Sequence, residues 1–186
     1  MAAARPLLRR AVFLDRDGTL NVDLKYISEP GQIELYKGVA QGLRLLASHG
    51  FLLVVVSNQS GISRGYYTRE AVESIHKRLQ EVLAKEGLKI DRFYYCPHAP
   101  SDGCSCRKPG IELFNRAAQD LSIHLPSSAI IGDKPLDIEA GRKLGLLTAL
   151  VRNQAFRVDL DVAGEYSADI DAPSFLAACE SISARG

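Results

Sequence analysis

No apolar stretch in this chain approaches the roughly 20 residues needed to cross a bilayer, so the sequence predicts a protein without a membrane partner. An excess of one charge is also missing. A formal net charge of +1 over 186 residues gives no general attraction for nucleic acid or an anionic surface, so neither is expected and any partner must be recognised locally. Cysteine is scarce: four residues are few for a disulfide scaffold. Repeats, low-complexity tracts and linkers are lacking too. With 46% hydrophobic residues the chain can bury a real core, and a single domain over residues 1–186 is the expectation. Met1 to Arg10 carries three arginines, and the apolar stretch that follows is cut short by Asp15 and Arg16. That does not read as a secretory leader, and a cytoplasmic monomer is predicted.

What is present is an alternation of strands and helices. Ala11 to Leu14, Phe51 to Val56, Phe93 to Tyr95, Ala129 to Ile131 and Leu147 to Val151 are apolar runs of strand length. Between them, Val39 to Ser48, the stretch capped by Thr68 and stopped by Gly87, Ile111 to Leu121 and Leu136 to Leu144 have helical periodicity. After about Asn153 the signal weakens to a short strand near Ser167 to Ile170 and a closing helix from Pro173. Such alternation predicts an α/β fold: a three-layer, Rossmann-like parallel sheet covered on both faces.

Three of these strands run directly into polar residues capable of chemistry. The first ends in Asp15-Arg16-Asp17-Gly18-Thr19, the second in Ser57-Asn58, and the third such end is Gly132-Asp133. In open α/β sheets the ligand crevice lies outside the carboxyl ends of the strands. Each end also has a purely local explanation. Asp-x-Asp-Gly can cap a turn, and Asp133 can cap the helix starting near Pro135. A separate cluster, Cys96-Pro97-His98 followed by Cys104-Ser105-Cys106, offers three thiolates and an imidazole, the ligand set of a closed tetrahedral Zn²⁺ site. Four protein ligands leave no open position, so such zinc would be structural. It would fold the loop 96–106 and hold Arg107 and Lys108 beside it. Cys179, remote from that cluster, reads as a small apolar residue on a helix face, and His49, His76 and His124 read as surface or boundary residues.

Phosphate monoesters are among the hardest bonds to hydrolyse unaided: enzymes supply up to about 10²¹-fold, roughly 28 kcal/mol. One oxyanion donor contributes only about 3 to 4 kcal/mol, so a nucleophile, a proton donor, a divalent cation and fixed positive charge must converge. Asp15-x-Asp17-Gly-Thr19, Ser57-Asn58, Lys108 and Gly132-Asp133 with Asp137, in that order, resemble the four motifs of the haloacid dehalogenase-like phosphatases. Within that superfamily the chain is similar to the small, capless, zinc-containing branch of heptose bisphosphate and histidinol-phosphate phosphatases.

The resemblance implies that Asp15 is the nucleophile forming an aspartyl-phosphate and that Asp17 is the general acid and base. Ser57 and Lys108 would bind the phosphoryl oxygens. It further implies Mg²⁺ held by Asp15, Asp133 and the main-chain carbonyl of Asp17, with Asp137 in support. Arg107 and Lys134 would contact substrate. Asp23 and Tyr26 after the first motif, and Asn58, Gln59 and Ser60 after the second, are expected sugar contacts, since polar side chains suit a polyhydroxylated substrate. The expected reaction is removal of the 7-phosphate of a heptose 1,7-bisphosphate, a step toward lipopolysaccharide or a related glycan. Histidinol phosphate or another small sugar phosphate is the alternative substrate, and a non-catalytic, zinc-stabilised binding module the alternative of another class.

Overall fold

The computed structural model describes residues 8–152 and 167–185. Residues 1–7 of the stretch expected to carry no leader lie outside the described residues, as do 153–166. The strands are β1 (Ala11–Leu14), β2 (Leu52–Asn58), β3 (Arg92–Cys96), β4 (Ala129–Gly132), β5 (Leu147–Val151) and β6 (Ile170–Ala172). They form a six-stranded sheet in the order β3-β2-β1-β4-β5-β6, with every pairing parallel.

The helices are α1 (Val39–Ser48), α2 (Arg69–Ala84), α3 (Glu112–Leu121), α4 (Pro135–Lys143) and α5 (Phe175–Ser183). They divide between the two faces according to the alternation of strand side chains. Val12, Leu14, Leu53, Val55 and Ile131 pack with Leu43 of α1, Leu79 of α2 and Phe175 of α5. Their neighbours Ala11, Phe13, Leu52, Val54 and Ile130 pack with Phe114 of α3 and Ala140 of α4. Because both faces are covered, β1 has no polar position at all, which explains its unbroken apolar run. Phe13 meets Phe114 edge-on at 5.1 Å. Burying a side chain of that size stabilises by about 1.5–3 kcal/mol.

The element expectations hold with small shifts at the ends. Thr68 caps α2 by accepting from the Ala71 N–H, and Gly87 follows with φ +70°. The strand expected near Ser167 to Ile170 lies slightly later, at Ile170–Ala172, and the closing helix starts at Phe175 behind Ser174, whose hydroxyl accepts from the Ala177 N–H. Asp169 accounts for the first shift. Its carboxylate accepts from the backbone N–H and the hydroxyl of Thr148, so the segment meets β5 through a side chain before ladder pairing begins.

The strand order has a functional consequence. From the β1/β4 junction the sheet grows in both directions, so the connections leaving the carboxyl ends of these two strands diverge and open a crevice. Asp15 and Asp133 stand at that crevice, and the Asp15 N–H donates to the Ile131 carbonyl at 3.0 Å.

Candidate active site

Beyond β1 the chain turns at once. The Arg16 carbonyl accepts from the N–H groups of Leu20 and Asn21, and the Gly18 N–H donates to the Asn21 carbonyl. Gly18 has φ +89°, and a Cβ there would lie 2.3 Å from Asp133 Oδ2. No other residue lets this turn pass so close to the end of β4. Thr19 Oγ1 donates to Asp133 Oδ1 at 3.2 Å. Asp133 is therefore not a helix cap: the cap position of α4 is Lys134, whose N–H donates to Asp137 Oδ2.

Lys108 is the buried cation of the site. Its Nζ lies 2.8 Å from Asp15 Oδ1 and 2.6 Å from Asp137 Oδ1, and donates to the Val56 carbonyl at 2.7 Å. Burial works against its charge, but the carboxylates of Asp137 and Asp15 outweigh that and hold it above the usual lysine range. Asn58 clamps the main chain of Lys108 from both sides, donating to its carbonyl and accepting from its N–H. The end of β2 thus sets where the basic loop sits.

Carboxyl oxygens of Asp15, Asp133 and Asp137 come within 4.8 Å of one another. Burial, then the charge of Asp15, pushes Asp133 up to about 7. Burial also raises Asp137, to about 6, against the opposing pull of Lys108. Acids so crowded favour a cation. Lys134 Nζ answers part of that need, at 3.3 Å from the Asp17 carbonyl oxygen, 3.4 Å from Asp23 and 3.5 Å from Asp133. Asp15, Asp133 and the Asp17 carbonyl form an oxygen-only donor set, which suits a hard divalent ion.

Asp17 differs from its neighbours. Burial raises its pKa, but the Arg16 charge and donors from Arg16, Asn21 and Gln59 prevail and lower it to about 2.

A cleft of about 320 Å³ opens over these groups, lined by Asp15, Asp17, Asp23, Lys25, Tyr26, Asn58, Gln59, Ser60, Tyr67, Arg107, Lys108, Lys134 and Leu136. Ten sequence-predicted residues share that wall. Ser57 is buried at the end of β2, where its hydroxyl accepts from Gln59 Nε2. Tyr26 is exposed at the rim and meets Tyr66 edge-on at 4.7 Å.

The cysteine cluster also comes together. Sγ of Cys96 lies 3.1 Å from Cys106 and 3.6 Å from Cys104, and His98 Nδ1 lies 3.5 Å from Cys96 and 3.2 Å from Cys106. Ligands about 2.3 Å from a tetrahedral zinc would stand about 3.7 Å apart, so the four residues need little adjustment to hold it. The three cysteines are free thiols without a disulfide. The arm they form is tied to the loop after β2, through Gln59 N–H to the Cys96 carbonyl and Ser63 Oγ to Asp102. Arg107 Nη1 reaches the His98 carbonyl at 3.3 Å. Gly110 closes the arm tightly: a Cβ there would meet the Ser105 carbonyl at 2.1 Å.

Sequence reasoning passed over Arg16 and Tyr67. Arg16 is wholly buried against Asp17, and Tyr67 donates to Gln59 Oε1 at 2.8 Å. The signal for Arg16 was available: a cation between two acids just past a buried strand has carboxylates within reach. His76 is corrected as well. It is 6% exposed and stacks on Phe93 at 4.6 Å, so it belongs to the interior, not to a boundary.

Comparison with known proteins agrees with this geometry. The HAD-hydrolase-like family profile matches residues 105–178. D-glycero-beta-D-manno-heptose-1,7-bisphosphate 7-phosphatase of Helicobacter pylori (strain ATCC 700392 / 26695) is 44% identical over 145 residues, covering 77% of this chain and 81% of that protein. The D-glycero-alpha-D-manno-heptose-1,7-bisphosphate 7-phosphatase of Campylobacter jejuni is 34% identical over 145 residues, covering 78% and 83%. Among solved structures, D,D-heptose 1,7-bisphosphate phosphatase from B. bronchiseptica, complexed with magnesium and phosphate, superposes with a TM-score of 0.87 at 28% identity, covering 95% of this chain and 99% of that one.

Proposed function

The chain belongs to the heptose-1,7-bisphosphate 7-phosphatases of the HAD-like hydrolases, and from that membership we propose that its cleft removes the 7-phosphate of D-glycero-D-manno-heptose 1,7-bisphosphate. The observation that carries this reading is the meeting of Asp15, Asp17, Lys108 and Asp133, drawn from two strand ends and a loop, at the cleft over the β1/β4 junction.

In this reading Asp15 attacks phosphorus in line while the bond to the sugar oxygen breaks, and Asp17, which takes a proton from solvent before the step against the pull of Arg16, passes that proton to the departing oxygen. Asp17 then takes a proton from the water that hydrolyses the aspartyl-phosphate. Lys108 and the Ser57 hydroxyl donate to the phosphoryl oxygens as negative charge builds on them. Lys108 sits on the nucleophile already, at 2.8 Å, so it can follow charge from the carboxylate to the phosphoryl group without leaving its place. Asp15, Asp133 and the Asp17 carbonyl would hold Mg²⁺, which would supply further positive charge to the phosphoryl group. Cys96, His98, Cys104 and Cys106 would hold Zn²⁺, which would fix the arm that carries Arg107 and Lys108. Asp23, Tyr26, Gln59, Ser60, Arg107 and Lys134 face the sugar, and Asn58 acts through the Lys108 main chain it clamps. The connection from β1 to β2 contains one 3-10 turn and α1, which supports a cleft without a domain-sized cap among the described residues. We further propose that the chain acts as a cytoplasmic monomer with its site complete in one domain.

The test is phosphate release by the purified protein with Mg²⁺, comparing heptose 1,7-bisphosphate with histidinol phosphate. The heptose is expected to be preferred in kcat/KM by at least about tenfold, some 1.4 kcal/mol. Asp15→Asn should abolish release while zinc content and circular dichroism stay unchanged. Preference for histidinol phosphate overturns the substrate, and undiminished release by the variant overturns the nucleophile.

A further inference from the structure

Four N–H donors hold the Asp17 carboxylate. Arg16 Nε and Asn21 Nδ2 donate to Oδ1, each at 3.0 Å, and Arg16 Nη2 and Gln59 Nε2 donate to Oδ2 at 2.6 and 3.0 Å. Both oxygens are therefore fixed in direction. The main grip is the guanidinium fork, a two-point contact that an ammonium cannot make. Burying an arginine completely is costly without compensation. This one has a single ion-pair partner, Asp17, and one further acceptor, Gln59 Oε1 at 3.2 Å, while its Nη1 has no hydrogen-bond partner among the described residues. Its position is thus devoted to one carboxylate. The Gln59 side chain joins this grip to the cleft, since its Oε1 accepts both Arg16 Nη2 and the hydroxyl of Tyr67, which lines the wall. Tyr67 is itself seated against Gly61, where a Cβ would lie 2.3 Å from its ring.

We infer that Arg16 is the positioning residue of the proton-transfer step: it aims the Asp17 carboxylate, and Tyr67 through Gln59 couples that aim to what occupies the cleft. This rests on the assignment of Asp17 as the group that protonates the departing sugar oxygen. A carboxylate so aimed matters in proportion to how much the leaving oxygen needs a proton. A sugar alkoxide needs it badly, whereas p-nitrophenolate departs as a stable anion. Arg16 therefore governs reaction with the first and hardly touches the second, although both esters share the same nucleophile, cation and phosphoryl donors.

The experiment compares kcat/KM for heptose 1,7-bisphosphate and for p-nitrophenyl phosphate in the wild type, Arg16→Lys, Tyr67→Phe and Asp17→Asn, with Mg²⁺ and zinc present. Because kcat/KM stops at the first phosphoryl transfer, hydrolysis of the aspartyl-phosphate does not blur it. Arg16→Lys is expected to lose about 10²-fold on the sugar ester, within the 10²–10⁴ range of general acid catalysis, and less than about fivefold on the nitrophenyl ester. Tyr67→Phe, which leaves the buried ion pair in place, should show the same split at about five- to tenfold, and it carries the test should Arg16→Lys fail to fold. Equal losses on both esters mean a structural role and overturn the inference. Asp17→Asn separates the two claims. A split there without one in the Arg16 and Tyr67 variants sinks only the inference, whereas no split in Asp17→Asn sinks the assigned proton donor.

Discussion

Lys108 concentrates the electrostatics of this protein in one side chain. It is fully buried, yet it touches two carboxylates and a backbone carbonyl, so its charge is compensated on every side the site requires. Removing it would leave Asp15 and Asp137 buried and facing one another. Loss of one partner from a buried pair costs about 3–5 kcal/mol, so Lys108→Met should be destabilised by that amount in urea unfolding at pH 7, besides losing nearly all turnover. The sign of its pH dependence follows from the acids left behind. Asp137 already stands above the usual carboxylate range, and without the ammonium it would rise further. A group whose folded pKa is raised favours the folded state at low pH and loses that advantage as pH rises through the folded value. The deficit of the variant relative to the wild type should therefore shrink when unfolding is repeated at pH 5. A constant deficit would mean the carboxylates do not take up the proton. The same crowding shows why Arg16 escaped the sequence reading. In an Asp-x-Asp pattern the middle residue is easily taken for a spacer, so its charge between two acids is overlooked although its side chain turns inward to grip the second acid.

At the scale of elements, the strand ends were legible because each is an abrupt break: a run of buried apolar residues stops, and Asp15, Ser57 or Asp133 follows. Helix limits were legible where a cap or glycine marks them, as at Thr68 and Gly87. The ties between loops were not, since they join residues with no shared periodicity. Ser63 to Asp102 and Asn58 to Lys108 are contacts 39 and 50 residues apart, and nothing in local pattern announces them. These ties make the cysteine arm part of the cleft. Beyond Cys96 and Cys106 the arm offers little apolar burial of its own, so a metal is expected to supply much of its order. Elemental analysis should find about one zinc per chain. Cys104→Ala, which removes the most accessible thiolate, should lose the metal and at least about 10²-fold in kcat/KM as Arg107 and Lys108 lose their anchor. Far-UV circular dichroism should change little, because the helices are held chiefly by the sheet and only α3 and α4 share a cluster with the arm's cysteines. A zinc-free variant with full activity would detach the arm from catalysis.

For the molecule as a whole, the parallel three-layer plan could be read from alternating elements, but the order of strands could not. That β1 lies between β2 and β4, and so brings Asp15 beside Asp133, depends on how crossovers pack and leaves no local trace. The interior also contains a group whose placement only the whole fold determines. His76 of α2 stacks on Phe93 and meets Tyr95 edge-on, both of β3, and its Nε2 has no hydrogen-bond partner among the described residues. The charges it feels beyond its own helix are Arg16, which opposes protonation, and Asp17, which favours it. Burial dominates, followed by Arg16, and together they lower its pKa to about 3. The unfolded chain takes up a proton near the ordinary histidine value of about 6.5, while the folded chain stays neutral until about 3. Between those values the unfolded state binds more protons, so this contribution is complete above about pH 6.5 and drains away as pH falls. From pH 7 to 5 the loss is about 2 kcal/mol, taking 1.36 kcal/mol per unit over roughly 1.5 units. That is a large share of the roughly 5–15 kcal/mol typical of a domain. Other groups also exchange protons as pH falls, so the quantity to measure is the difference between proteins. His76→Phe keeps the stack on Phe93 and removes the titration, and its urea-unfolding free energy should fall by about 2 kcal/mol less than that of the wild type between pH 7 and 5. Parallel slopes would show that the imidazole takes up its proton without leaving the core.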